Sequence, residues 1–206
     1  YVETVLVERP LGDPVLDRDL WDAARPPVPA ETDVLLSENG FRVRVLGGTL
    51  PPAFRQLLAA DLINPTGLTF ANRPDTVVPT ATPPDPCVYK VRPELAGGPA
   101  EVKLTGARGG ILLRPEWVGN GRVKVWCEPR VQHGEREDAF RPTEDGTGLT
   151  VEAKRPTENY PTLGFAVTLG PDDYLVIGTT ATAGGTLGGV IFHEEVGGAP
   201  RQRVLL

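Results

Sequence analysis

Few side chains in this sequence could act as nucleophiles. The sole serine, Ser37, lies in a stretch that predicts a helix and has no Gly-x-Ser-x-Gly context. A cysteine nucleophile needs a histidine beside it. His133 follows Cys127 closely, but the alternation of Val123, Val125 and Cys127 indicates a thiol that faces the core. The sequence therefore gives little support to nucleophilic catalysis.

Metal-binding and phosphate-binding motifs are also missing. Zinc sites need clusters of cysteine and histidine, whereas the two cysteines and two histidines of this chain are far apart. His193-Glu194-Glu195 lacks the second histidine, four positions after the first, that a zincin helix requires. The glycine-rich stretch 178–189 contains no Gly-Lys-Ser/Thr. We therefore expect no cofactor and no metal.

Paired carboxylates are the remaining route to enzyme chemistry, because a glycosidase needs only two acids across a cleft. Two acidic groups are available: Asp172-Asp173, and Glu135 with Glu137 and Asp138. Both groups lie in turn-like polar contexts, where carboxylates are ordinarily solvated. The sequence therefore predicts that the chain is not an enzyme, and a carbohydrate-active enzyme is the weakest hypothesis that we retain.

The two cysteines leave two interpretations open. Cys87 and Cys127 each lie in an alternating, strand-like stretch, so neighbouring strands could bring their sulfurs together. A disulfide and a pair of buried free thiols both fit this pattern. A disulfide would indicate an oxidising compartment such as the periplasm or the cell surface.

Composition and charge narrow the class of protein. A net charge of −6 and a pI near 5.0 argue against a nucleic-acid partner. No run approaches the ~18 to 20 apolar residues of a membrane-spanning helix. The chain begins with Tyr1 and contains no methionine, so we expect a preceding segment, of which a cleaved signal peptide is one explanation. With 24 glycines and 22 prolines, short strands joined by many turns are favoured over long helices.

The elements that would position side chains fall into three parts. Residues 1–70 predict a small α/β module, and residues 71–86 predict a proline-rich linker or surface strap. The module is expected to contain a strand at 2–8, a helix at 31–39 closed by Gly40, a strand at 41–45, and a second helix opened by Pro51-Pro52 with Phe54, Leu57, Leu58 and Leu62 on one face.

Residues 87–206 predict an antiparallel β domain, so the fold class is mainly β with the small α/β module at the N-terminus. Gly119-Asn120-Gly121 predicts a tight hairpin turn. The acidic stretch 134–148 predicts an exposed loop, and 184–189 a flexible connection. The predicted strands are 88–91, 102–105, 111–114, 122–127, 149–153, 164–169, 174–177 and 189–192.

Four segments of this domain, in this order, resemble the C-terminal domain of bacterial secretins, the ring-forming outer-membrane channels of secretion and pilus systems. They are 110–131 (GILLRPEWVGNGRVKVWCEPRV), 165–178 (FAVTLGPDDYLVIG), 186–192 (TLGGVIF) and 203–206 (RVLL). The resemblance covers about residues 105–206. The Val-Pro that usually precedes the Leu-Gly segment is replaced by Ala183-Gly184-Gly185, and 132–160 shows no evident pair of amphipathic membrane strands.

The resemblance implies a non-enzymatic structural protein of the cell envelope, connected with protein transport, that forms a homo-oligomeric ring or array. Secretin cores pair strands between subunits, which leaves few open sheet edges. Arg122 and Lys124 would occupy the wet face of a strand whose other face carries Val123 and Val125. The residues that the resemblance assigns to assembly strands are Arg122, Lys124, Trp126, Tyr174 and Phe192.

Two hypotheses therefore lead. In the first, copies of this chain assemble in the periplasm, outer membrane or surface of a bacterium, with other envelope proteins as further partners. In the second, the same fold serves as a monomeric extracytoplasmic binding or scaffold domain, including one attached as a lipoprotein. Aromatic residues could build a ligand platform in that case, or could equally be core and interface anchors: Trp117, Trp126, Tyr160 and Tyr174.

Overall fold

The protein is mainly β, and its strands pair antiparallel. The computed structural model describes residues 2–22, 24–48, 50, 52, 55, 58, 62–64, 75–142 and 149–206. The strands of the first half are β1 (Leu6–Pro10), β2 (Arg42–Gly47), β3 (Leu62–Asn64), β4 (Thr76–Ala81), β5 (Cys87–Val91), β6 (Ala100–Leu104) and β7 (Arg108–Gly119). Those of the second half are β8 (Arg122–Gln132), β9 (Glu137–Pro142), β10 (Leu149–Lys154), β11 (Thr157–Asn159), β12 (Phe165–Leu169), β13 (Asp173–Gly178), β14 (His193–Val196) and β15 (Ala199–Leu205).

Two larger sheets carry the architecture. Sheet A has the strand order β2-β13-β15-β1-β3, with β14 paired to β15. Sheet B has the order β11-β8-β7-β4, with β12 also paired to β8. Two further pairs, β5 with β6 and β9 with β10, form small two-stranded sheets.

The helices are short. A π-helical turn at Val15–Asp19 runs directly into a short α-helix, α1 (Leu20–Asp22). The others are α2 (Ala30–Glu38), a 3-10 turn at Pro161–Leu163, and α3 (Leu187–Phe192). The predicted helix at 31–39 is confirmed, and Gly40 follows it in the left-handed region with φ 81°. Most of the second predicted helix, including Phe54 and Leu57, lies outside the described residues.

Where β13 meets the end of β15, sheet A is buried on both faces, which explains why Leu175, Val176 and Ile177 form a continuous apolar run. Ile177 and Leu205 face the larger core, which they share with sheet B, α2 and α3. Val176 and Val204 face a second cluster that contains Leu16, Leu20 and Trp21 of the π turn and α1.

The predicted division of the chain differs from the sheets that form. β1, β2 and β3 lie in the predicted N-terminal module, and β1 pairs with β3 inside it, but β1 also pairs with β15 and β2 pairs with β13. The module therefore has no sheet of its own among the described residues. Within the predicted linker 71–86, Thr76–Ala81 is strand β4 and pairs with β7, so these residues belong to sheet B. Threonine and valine have high strand propensity, and Pro79 is tolerated because β4 pairs on one side.

The predicted strand at 189–192 is wrong, because these residues form the helix α3. The side chain of Thr186 accepts a hydrogen bond from the backbone N–H of Gly189 at 3.2 Å and caps the helix. All six residues of α3 are buried against β4, β5 and β7. A short helix that is buried all round has the same apolar run as a buried strand.

The region between the two resembling blocks also differs from its prediction. The stretch 134–148 was expected to be a loop, but Glu137–Pro142 forms β9 and pairs with β10, from Glu137 opposite Lys154 to Pro142 opposite Leu149. Acidic and polar residues masked the strand pattern here. The predicted hairpin turn at Gly119-Asn120-Gly121 is confirmed: Asn120 and Gly121 have φ 53° and 71°, and β7 pairs with β8 around them.

Candidate functional site

The outer part of sheet B is a three-stranded segment made from the ends of β7, β8 and β12. Residues of the three strands stand in common rows across it. Glu116 lies opposite Lys124, which lies opposite Thr168; in the neighbouring row, Trp117 lies opposite Val123, which lies opposite Leu169. Each row therefore presents its three side chains on the same face of the sheet.

The two faces of this segment have different chemistry. Glu116, Lys124 and Thr168 are all exposed and form a polar outer face. The inner face begins in the core with Val125 and Val167, which are buried, and continues outward to Trp117. Trp117 is 66% exposed, an unusual state for a tryptophan at the end of an apolar face.

The segment has an open edge on each side. β4 ends beside Leu113, where Thr76 is the partner, so beyond Leu113 the side of β7 that faces away from β8 has no strand beside it among the described residues. On the opposite side, β12 is paired with β8 alone within the described ranges. Unpaired backbone N–H and C=O groups at such edges are ready to pair with another chain.

A largely apolar groove of about 530 Å³ opens beside Trp117. The turn between β12 and β13 forms its opposite wall, and Val2, Leu206 and Glu3 lie at one end. Leu113, Ile177 and Leu205 form its floor. A groove of this size and lining suits an apolar side chain or segment of a binding partner.

The acidic pair in the turn has a structural role. Asp172 occupies the left-handed region with φ 61°, and the carboxylate of Asp173 accepts a hydrogen bond from the backbone N–H of Gly170 at 2.8 Å. These contacts fix the β12–β13 turn. Glu135 and Glu137 are exposed, and the side chain of Asp138 lies outside the described residues. Asp172 and Glu3 line the same groove as Asp173, whose carboxylate is already engaged by the Gly170 N–H.

The five residues assigned to assembly strands have different positions. Arg122 and Lys124 are exposed on β8, beside the hairpin turn and on the polar face. Trp126 is half-buried, and a β-carbon on Gly164 would lie 2.4 Å from its ring. Tyr174 is half-buried on β13 at the groove. The assignment of Phe192 to an assembly strand is wrong. Phe192 is fully buried in α3 and packs edge-on against Phe41, with 6.3 Å between the ring centroids, so it cannot face a partner.

Sequence reasoning missed Glu116 and Thr168 as edge residues. Glu116 lies in the alternation of β7, and Thr168 in that of β12, so the pattern indicated strands. The signal does not show which strands lie at an edge, because that depends on the pairing of distant segments.

Both cysteines are buried free thiols. Burial raises the pKa of Cys127, which is fully enclosed in the larger core. Burial, and secondarily the charge of Asp85, raises the pKa of Cys87. Neither thiol is therefore activated as a nucleophile. The aromatic Tyr160 is also part of the core, where its hydroxyl hydrogen-bonds that of Tyr89 and burial raises the pKa of both phenols.

No cluster of three or more potential metal ligands occurs in the part of the chain that the structure describes. In those same ranges, no helix is both long and apolar enough to cross a membrane. Comparison with known protein families, curated proteins and solved structures gives no match for this chain.

Proposed function

We propose that this chain is a secretin-like, non-enzymatic structural protein of a bacterial cell envelope, and that its copies assemble head to tail into a ring. The order of elements supports the secretin-like interpretation. The four resembling segments correspond, in order, to the hairpin β7–β8, the consecutive strands β12 and β13, the helix α3 and the strand β15. In addition, the strand pair β9–β10 lies between the two main resembling segments, where no pair of amphipathic strands was evident from the residue pattern.

The observation that carries the proposal is the pair of open edges on the β7–β8–β12 segment. The two edges belong to different strands and lie on opposite sides of the segment. A two-fold contact between two copies pairs an edge with the same edge of the other copy, so a single contact of this kind would leave the second, different edge open. They can pair with each other, which gives a head-to-tail contact that closes into a ring when the rotation between copies is suitable.

The strand directions within one chain support a parallel pairing between copies in the proposed ring. β7 and β12 both run antiparallel to β8, so they run parallel to each other. In a ring whose axis follows the strands, β7 of one copy would lie parallel to β12 of the next. The groove beside Trp117 would be covered at the same contact, which accounts for the exposure of the indole.

Native mass tests the assembly first. Light scattering of the purified chain, with negative-stain imaging of the same fraction, should give a multiple of 22.1 kDa and closed particles. Trp117→Ala should shift the distribution toward smaller species, whereas Val88→Ala, an exposed apolar residue on β5, should not. A monodisperse species of one chain over the accessible concentration range would rule out the ring.

Cross-linking tests the proposed contact. Glu116→Cys and Thr168→Cys place thiols on the same face at the two open edges, and Cys87 and Cys127 are too buried to interfere. With a short bis-thiol reagent, the double variant should give a ladder of covalent multimers, and each single variant should give none. Dimers from Glu116→Cys alone would instead indicate a two-fold contact and would contradict the head-to-tail arrangement.

A second candidate is a monomeric extracytoplasmic binding or scaffold domain, which the groove of about 530 Å³ favours. In that case, the groove would receive an apolar ligand or a peptide of another envelope protein, and the chain would remain a monomer. Quenching of Trp117 fluorescence by a panel of apolar ligands tests this candidate. Binding by a monomer would favour it over the ring.

A further inference from the structure

A second cleft, of about 340 Å³, is lined by several cationic side chains, although the chain as a whole is acidic. Its walls are formed by Arg108, Arg130, Gln132, Arg136, Lys154, Arg155 and Thr157. Five of these side chains are cationic and none is a carboxylate. In a protein with a net charge of −6, such a concentration of arginine indicates a site for an anion. We call this site the basic cleft.

One wall of the basic cleft is a single face of sheet B. Arg108 on β7 and Thr157 on β11 both lie opposite Gln132 on β8, so the three form one row. Arg130 lies two residues before Gln132 and therefore points to the same side of the sheet. Val131, between them, is fully buried, which places this wall on the side away from the core.

The other wall is the base of the β9–β10 hairpin. Arg136 directly precedes β9, Lys154 is the last residue of β10, and Arg155 follows it. Lys154 pairs across the hairpin with Glu137. The basic cleft thus lies where the hairpin joins sheet B, and a ligand in it would touch both.

Arg155 gives independent evidence of a missing partner. Its Nη1 donates a hydrogen bond to the carbonyl of Gly134, which holds the guanidinium in place. Its Nε is buried and has no hydrogen-bond partner among the residues that the structure describes. A buried donor without an acceptor costs ~1–3 kcal/mol, so an oxygen at this position would be favourable.

No carboxylate of the described residues lines the cleft. Glu128 lies 3.4 Å from Arg130, and Glu158 lies 3.4 Å from His133, but neither lines the cavity. Four guanidinium groups then remain within one small space. Arginine binds tetrahedral oxyanions through two parallel N–H donors, and Gln132 can supply a neutral donor beside them.

We propose that the basic cleft binds a phosphate-type oxyanion, which bridges sheet B to the base of the β9–β10 hairpin. The bound group is a free phosphate or the phosphate of a larger molecule such as a lipid headgroup. This site does not depend on assembly, because the cations and the cavity belong to one chain.

Binding is tested by calorimetric titration of the full chain with inorganic phosphate and with pyrophosphate in low-salt buffer. We expect a dissociation constant between about 1 μM and 1 mM, tighter for pyrophosphate, which weakens as salt rises. The double variant R108Q/R136Q removes two exposed cations and should weaken binding at least tenfold without unfolding the chain. Arg18→Gln removes an exposed cation far from the cleft and should have no effect.

The two sources of the phosphate are separated with vesicles. Vesicles that contain phosphatidic acid should capture the wild-type chain more strongly than R108Q/R136Q if the group belongs to a lipid, and pure phosphatidylcholine vesicles should capture neither. Capture that is equal for both proteins, with tight binding of pyrophosphate, would assign a soluble phosphate. No binding of any of these probes, or binding that R108Q/R136Q leaves unchanged, would overturn the proposal.

Hydrogen exchange tests whether the bound phosphate bridges sheet B to the β9–β10 hairpin. Hydrogen exchange should slow at 137–142 and 149–154 when phosphate binds the wild-type chain, because the hairpin base becomes fixed to sheet B. The same addition to R108Q/R136Q should leave exchange unchanged. If phosphate binds with normal affinity but exchange in the hairpin does not slow, the bridging part of the proposal is wrong.

Discussion

The backbone of Gly188 lies directly against that of Gly40. The N–H of Gly188 donates to the carbonyl of Asn39 at 2.8 Å, and a β-carbon on Gly188 would lie 2.3 Å from the carbonyl oxygen of Gly40. This contact joins the beginning of α3 to the turn between α2 and β2. Only glycine fits at position 188 unless one of these elements moves.

Gly188→Ala should therefore destabilise the protein by about 1–3 kcal/mol, because the methyl group overpacks two backbone segments. Thermal unfolding should report a loss of about 2–4 °C for each kcal/mol in a chain of this size. Gly184→Ala is the matched control, since a β-carbon there would meet nothing within 4 Å. Equal melting temperatures for the two variants would show that α3 does not pack against Gly40 as described.

Asn39 joins α2 to the end of β5 by three hydrogen bonds. Its Nδ2 donates to the carbonyls of Leu35 and Arg92, and its Oδ1 accepts from the N–H of Arg92, each at 2.8 Å. Asn39→Ala should cost about 2–4 kcal/mol in the free energy of unfolding by urea, because buried backbone groups lose their partners. The exposed Asn159→Ala should change it by less than about 0.5 kcal/mol.

The two thiols should react slowly in the folded protein. Burial raises the pKa of both Cys87 and Cys127, so little thiolate forms at pH 8, and the sulfurs are shielded. We expect reaction with a disulfide reagent at the rate of unfolding, and two thiols per chain after denaturation. No reactive thiol after denaturation without reductant would indicate a Cys87–Cys127 disulfide instead.

His193 should make stability depend on pH. Burial lowers its pKa below the ordinary 6.5, although the Thr180 carbonyl and Asp17 oppose this effect. Between that lowered value and 6.5, the unfolded chain binds more protons than the folded one, so this contribution to stability is lost as the pH falls. The difference in unfolding free energy between wild type and His193→Gln should be constant above about pH 7.5 and should move against the wild type toward pH 5. A difference that does not change with pH would contradict the burial of this imidazole.

Turns and single helices could be predicted from the sequence, because they depend on residues that are adjacent in the chain. The Gly119-Asn120-Gly121 turn and the α2 helix with Gly40 after it follow from the backbone preferences of a few adjacent residues. The run Gly189–Phe192 was different, since so short an apolar run fits a strand or a helix equally well. The Thr186 cap and the enclosure by β4, β5 and β7 decide the outcome, and the enclosure depends on tertiary structure.

The candidate sites depend on register, which a single sequence does not contain. Arg108, Arg130 and Arg155 are far apart along the chain and become neighbours only through the pairing of β7, β8 and β11 and the path of the β9–β10 hairpin. The open edges of β7 and β12 are likewise a property of which strands pair. For the same reason, the sequence does not show that β1 and β2 of the predicted module pair with the distant strands β15 and β13.

The pairing of β1 with β15 has a consequence for biosynthesis. Val7 lies opposite Val204, so this contact closes a loop that contains almost the whole described chain, and such long-range closure is slow. The β7–β8 hairpin can form as soon as both strands have left the ribosome or the translocation channel. Until residues 199–205 follow, however, β1 has only the short strand β3 beside it, and the apolar surface of sheet A stays open to chaperones and proteases. Synthesis of β15, which completes sheet A, thus acts as the commitment step for folding of this sheet.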